Sequence, residues 1–155
     1  MKVIMTGGGT GGHIYPAIAI ADEIKKRFPD AEILFVGAKR GLEKTLVPDN
    51  GYPIKLIPVQ GFNRKNPLKN VEVLRDLKQG NKLSKQILKE FQPDVVIGTG
   101  GYASAPVVKM AQKMHISTYI HEQNAFPGVT NKMLEKHVEK VFLGFEEGSE
   151  YFRYP

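Results

Sequence analysis

Short apolar runs alternate with amphipathic stretches along the whole of this chain, and few folds accept that alternation. Lys2–Thr6 reads as a buried strand, after which Ala17, Ile18, Ile20, Ala21, Ile24 and Phe28 recur at helical spacing on a segment stopped by Pro29. The pattern repeats as strand 32–36, a helix near 42–50, strand 54–59, helical stretches over about 69–91 and strand 94–98. Helix 105–114, strand 117–120, helix 128–135 and strand Lys140–Leu143 complete it. Strands this uniformly apolar belong in a parallel sheet covered by helices on both faces, with right-handed crossovers. The expectation is an α/β, Rossmann-like, doubly wound parallel sheet. A length of 155 residues with 41% hydrophobic content suits one domain, residues 1–155, around one core.

Ligands of such a sheet bind at the carboxyl ends of its strands, so the loops after Met5, Val59, Ile97 and Ile120 are the places to look for function. The first of them, Gly7-Gly8-Gly9-Thr10-Gly11-Gly12-His13, follows a strand and opens a helix. Its backbone N–H groups and the positive end of the helix dipole form a ready anion site, with a phosphate or pyrophosphate as the natural guest. Gly7, Gly9 and Gly12 also satisfy the dinucleotide fingerprint G-x-G-x-x-G. That fingerprint wants an acidic residue at the end of the second strand, where this chain has Ala38-Lys39-Arg40, which counts against NAD and leaves NADP weakly open. A P-loop is excluded, because His13-Ile14 stand where its lysine and hydroxyl would be.

A second glycine loop, Gly98-Thr99-Gly100-Gly101-Tyr102-Ala103-Ser104-Ala105-Pro106, repeats the design after another strand, with Pro106 suited to a first helical turn. Two anion-ready loops on one sheet edge suit a substrate carrying a pyrophosphate and further polar groups. His121-Glu122-Gln123-Asn124 then delivers four polar side chains to the end of the strand at 117–120. His13 opens the first helix, where the dipole favours the neutral ring that can accept a proton from a sugar hydroxyl. His115 and His137 are expected on helix surfaces without a role, and the histidines show no metal-ligand spacing, so no metal is expected. There is no cysteine, which removes disulfides and thiol chemistry and points to a reducing, cytosolic compartment.

GGGTGGHIYPAIAIA near the start, the GGYASAP loop and the HEQN tetrad, in this order and at these separations, closely resemble the MurG family across essentially the whole chain. The resemblance implies the N-terminal half of a two-domain GT-B glycosyltransferase, without a cofactor, that inverts the anomeric centre. Its implied donor is UDP-N-acetylglucosamine and its implied acceptor undecaprenyl-pyrophosphoryl-N-acetylmuramoyl-pentapeptide, handled at the cytoplasmic face of the plasma membrane by a peripheral protein. By resemblance, His13 is the candidate base, with Glu122 as the alternative and Tyr102 as a helper. Thr10, Gly11, Gly12 and Asn124 would approach the donor. Gly8, Gly9, Gly100, Gly101, Tyr102, Ser104 and Gln123 would hold the acceptor. Residues 60–67 resemble the family's mobile basic loop. The donor-gripping C-terminal domain is missing from the sequence, so the chain alone is expected not to turn over.

Charge is concentrated in one place. Residues 62–90 hold eight Lys or Arg against three Asp or Glu, most of the chain's net +6. Leu74 and Leu77, then Leu83, Ile87 and Phe91, recur there at helical spacing among Arg75, Lys78, Lys82, Lys85 and Lys89, a basic amphipathic surface suited to an anionic membrane. A solvated face of a core-packed helix is the competing reading. Nucleic acid is not expected, because the run lacks interleaved aromatic residues. Two other functions compete: a non-catalytic acceptor-binding or docking subunit of a split GT-B enzyme, and an NADP-dependent oxidoreductase resting on the first glycine loop and Lys39-Arg40.

Overall fold

A computed structural model describes residues 1–153. In chain order the elements are β1 (Lys2–Thr6), α1 (Gly11–Arg27), β2 (Glu32–Ala38), α2 (Glu43–Asp49), β3 (Ile54–Ile57), α3 (Asn70–Phe91), β4 (Val95–Gly98), α4 (Ser104–Lys113), β5 (Ser117–Glu122), α5 (Val129–Leu134) and β6 (Lys140–Leu143). Short 3-10 turns occupy Pro67–Lys69, Glu135–His137 and Glu146–Tyr151. All five strand pairings are parallel and the order is β3-β2-β1-β4-β5-β6, the doubly wound sheet that the alternation predicts.

The two faces of the sheet bury separate clusters, as a sheet covered by helices on both sides requires. Val3 and Met5 of β1 turn toward Ile14, Ala17, Ile18 and Ala21 of α1, together with Ile33 and Phe35 of β2. Ile4, between them, turns to the other face with Leu34, Val36, Val96 and Ile120 beneath α3 and α4. Within this frame β1 and β4 are neighbours although a long stretch of chain separates them, and the strand order reverses between them. A doubly wound sheet opens its ligand crevice at that reversal. The two glycine loops follow β1 and β4, so the topology brings them to one crevice.

Three details depart from the sequence reading. β5 runs on through Glu122, paired with Leu143 of β6, so His121 and Glu122 are strand residues pointing to opposite faces. The basic stripe on α3 divides: Leu83, Ile87 and Phe91 pack against the core and Leu88 is buried, whereas Leu74 and Val71 are 56% and 62% exposed. His115 is not on a helix surface but in the turn after α4, with φ of 59°, and His137 closes a 3-10 turn.

Candidate functional site at the strand-order reversal

The first loop leaves β1 at Thr6 and enters α1 through Thr10, which carries extended backbone angles and caps the helix without a side-chain bond. Two of its amides are already spent. Gly8 donates its N–H to the carbonyl of Gly100 at 3.3 Å, and Gly9 donates to Oε2 of Glu43 at 3.0 Å. The free donors of this loop are therefore the amides that open α1, at Thr10, Gly11 and Gly12, which have no intrahelical partner. This corrects the expectation that the whole loop offers its N–H groups: those of Gly8 and Gly9 are engaged within the protein.

The second loop crosses over the first. Gly100 and Gly101 take φ values of 102° and 86°, a region that glycine alone enters cheaply. A Cβ on Gly101 would also overlap the Gly8 carbonyl, so the two loops touch backbone to backbone only because Gly101 lacks a side chain. The amides of Gly100, Gly101 and Tyr102 have no acceptor among the described residues. They remain available to an anion. The Tyr102 ring lies against Gly61, which brings residues 60–67 beside the loop. Ser104, expected among the acceptor contacts, is instead fully buried with its hydroxyl packed against Gly98, because it begins α4 on the side facing β4.

His13 is held between the two loops. Its Nδ1 lies 3.2 Å from the Thr99 carbonyl and 2.8 Å from the Gln123 side-chain amide, while the Thr99 hydroxyl donates to the His13 carbonyl at 2.6 Å. A carbonyl can only accept, so this contact selects the tautomer with hydrogen on Nδ1. As placed, the Gln123 amide nitrogen faces Nδ1 and its carbonyl oxygen is buried without a partner; with the amide turned over, that oxygen would accept from the same N–H. Nε2 is then left as the unprotonated nitrogen.

Glu122 is 1% exposed and its carboxylate is fully engaged. Oε1 accepts from the Asn124 backbone N–H and its side-chain Nδ2, at 3.0 and 3.1 Å; Oε2 accepts from Gly128 N–H and Asn131 Nδ2, both at 3.0 Å. This carboxylate shapes the turn between β5 and α5. The four polar residues of the tetrad thus split: Glu122 is spent internally, Gln123 orients His13, exposed Asn124 points back to Glu122, and His121 lies on the opposite strand face.

Together these groups line a cavity of about 270 Å³ that includes Gly9, Thr10, His13, Gly101, Tyr102 and Asn131. Two of the residues that build it, Glu43 and Asn131, were not singled out from sequence. Asn131 sits in a short helix with no motif around it. Glu43 has one signal, its position among Gly37, Gly41 and the first glycine loop, which becomes legible only when the three are seen to converge.

Comparison with known proteins gives a consistent picture. The family described as the glycosyltransferase family 28 N-terminal domain matches residues 3–143. A protein of Thermoanaerobacter sp. named UDP-N-acetylglucosamine--N-acetylmuramyl-(pentapeptide) pyrophosphoryl-undecaprenol N-acetylglucosamine transferase is 56% identical over 153 residues, 99% of this chain and 42% of its own length. The protein of the same name in Alkaliphilus oremlandii is 51% identical over 154 residues, with the same coverage. Among solved structures, MurG of Acinetobacter baumannii superposes with a TM-score of 0.82 at 30% identity, over 94% of this chain and 42% of that one. A UDP-GlcNAc 2-epimerase of Neisseria meningitidis shares the fold at 12% identity, with a TM-score of 0.72 over 97% of this chain and 42% of its own. The chain thus spans 42% of the length of each of these two transferases.

Proposed function

Since the chain belongs to the glycosyltransferase family 28 N-terminal domain family, we propose that it forms the acceptor-binding half of a GT-B enzyme. That enzyme would move N-acetylglucosamine, with inversion, from UDP-N-acetylglucosamine to undecaprenyl-pyrophosphoryl-N-acetylmuramoyl-pentapeptide. The observation that carries this reading is the convergence of two glycine loops with unspent amides on one cavity that also holds His13. In this account the amides of Gly100, Gly101 and Tyr102 take the acceptor's pyrophosphate, with Gly8 and Gly9 allowing it to approach. The amides at the start of α1, with Asn124, face the donor. His13 Nε2 takes the proton from the muramoyl hydroxyl as its oxygen attacks the anomeric carbon and uridine diphosphate leaves from the opposite side. Gln123 and the Thr99 carbonyl hold the ring for that step, and Glu122 acts on the turn beneath it rather than on the proton.

The test is a chimera. Joined to the C-terminal part of the Thermoanaerobacter relative, the chain should transfer labelled N-acetylglucosamine to the lipid-linked acceptor, and alone it should not. Turnover by the isolated chain would overturn the assignment of roles, and a folded but inactive chimera would count against the reading as a whole.

Among the described residues no helix is long and apolar enough to cross a membrane. We propose peripheral attachment at the cytoplasmic face through the start of α3 and the segment before it. There Phe62, Leu68, Val71 and Leu74 are 63%, 83%, 62% and 56% exposed, beside the exposed Arg64, Lys65, Lys69, Arg75 and Lys78. Each such cation contributes about 1 kcal/mol at an anionic surface. Reversing Arg75 and Lys78 to glutamate removes two such contributions, about 2 kcal/mol, and should therefore weaken sedimentation with phosphatidylglycerol vesicles at least tenfold. Equal sedimentation of the variant and the parent chain would remove this surface from the account.

A further inference from the structure

We propose that Glu43, which no part of the mechanism above uses, is a positioning residue that sets the first glycine loop and thereby aims the amides of Thr10, Gly11 and Gly12 at the cleft. The inference rests on the reading of those amides as an anion site. Glu43 is the first residue of α2, yet its side chain is fully buried under the loop after β1. Its two oxygens tie together segments far apart in sequence: Oε1 accepts from Ala38 N–H at the end of β2 at 2.6 Å, and Oε2 accepts from Gly9 N–H at 3.0 Å. Gly9 holds φ at 93°, the turn from which the chain enters α1.

Three glycines make room for this one carboxylate. A Cβ on Gly8, Gly37 or Gly41 would fall on Glu43 side-chain atoms, so β2, the turn before α2 and the first loop are all shaped around it. It has no Lys, Arg or His partner among the described residues, and its recorded partners are backbone N–H groups. An anion site gains nothing directly from a buried carboxylate a residue away. What Glu43 supplies is geometry: it uses the Gly9 amide to fix the peptide that precedes the free donors. From α2 its carboxylate reaches the end of β2, where a dinucleotide fold would present an acid to ribose, but both its oxygens are bound to backbone.

Glu43→Gln keeps size and shape but puts an NH2 group against one of the two N–H donors, leaving that donor without an acceptor. The experiment follows backbone amides of the 155-residue chain by NMR, with inorganic pyrophosphate as the probe. In the parent chain the Gly9 amide should be protected from hydrogen exchange, and pyrophosphate should shift Thr10, Gly11 and Gly12 as well as Gly100 to Tyr102. In Glu43→Gln the response of Thr10 to Gly12 should weaken about tenfold, the cost of one lost buried hydrogen bond. The response of Gly100 to Tyr102 should stay within twofold, a split that general destabilisation would not produce. Should Glu43→Gln fail to fold, Gly41→Ala, whose methyl group would press on the carboxylate, should give the same selective loss. Equal pyrophosphate affinity at both loops in a folded variant, or an unprotected Gly9 amide in the parent chain, overturns the proposal alone. Silence of the parent chain at Thr10 to Gly12 overturns the anion-site reading and this proposal with it.

Discussion

Replacing His13 with alanine in the chimeric enzyme is expected to lower kcat by a factor of roughly 10² to 10⁴, the usual contribution of a positioned general base, while the acceptor KM changes little. The size follows from how completely the ring is oriented. The Thr99 carbonyl and Gln123 both address Nδ1, and the Thr99 hydroxyl pins the His13 backbone, so Nε2 has a fixed direction and a free lone pair. A side chain held only to pack would not need two polar partners on one nitrogen. Since the pyrophosphate donors lie on Gly100 to Tyr102, removing the imidazole leaves acceptor binding in place. Steady-state rates at saturating donor check this. A kcat within about threefold of the parent enzyme would remove His13 from proton transfer, because a general base contributes far more than that.

The second large effect is on stability. Glu122→Leu replaces a buried carboxylate that accepts four hydrogen bonds, and it takes an acceptor from the buried Asn131 side-chain amide and from the N–H groups of Asn124 and Gly128 in the exposed turn. One buried donor that loses an acceptor costs about 1–3 kcal/mol and the exposed turn adds less, so the domain should lose roughly 2–3 kcal/mol, measured as a fall in the urea midpoint at unchanged slope. That is a large part of the ~5–15 kcal/mol that holds a domain of this size. Glu122→Gln, which retains one acceptor oxygen, should lose less than half as much. If the leucine variant melts within 1 kcal/mol of the parent, Glu122 is not the organiser of the β5–α5 turn, since even one orphaned donor costs about that.

Much of this was legible in sequence, for identifiable reasons. Strands buried on both faces carry uninterrupted apolar runs, so the order of elements could be read directly, and a parallel sheet with one reversal leaves little choice about where the glycine loops meet. Side-chain direction was less accessible. Ser104 reads as a loop hydroxyl after Gly100-Gly101-Tyr102, but α4 begins at that residue and turns it into the core. Glu122 reads as a free carboxylate because β5 was expected to stop at Ile120; two more residues of pairing with β6 point it inward to Asn131. On α3 the apolar period is continuous, and period alone does not distinguish the half that meets α4 from the half that meets solvent. Glu43 lay outside every motif, since what it binds is backbone from three segments rather than a neighbour in sequence.

The central claim is that the crevice between the two glycine loops receives a lipid-linked pyrophosphate, and amide NMR of this chain during addition of a soluble analogue of the undecaprenyl-pyrophosphoryl muramoyl-pentapeptide tests it most directly, with NADPH as the control. The account predicts shifts centred on Gly100, Gly101 and Tyr102 and extending to Gly8, Gly9 and His13 with the acceptor analogue, and none with NADPH. Shifts with NADPH and silence with the acceptor would contradict it and make the first glycine loop a dinucleotide site after all.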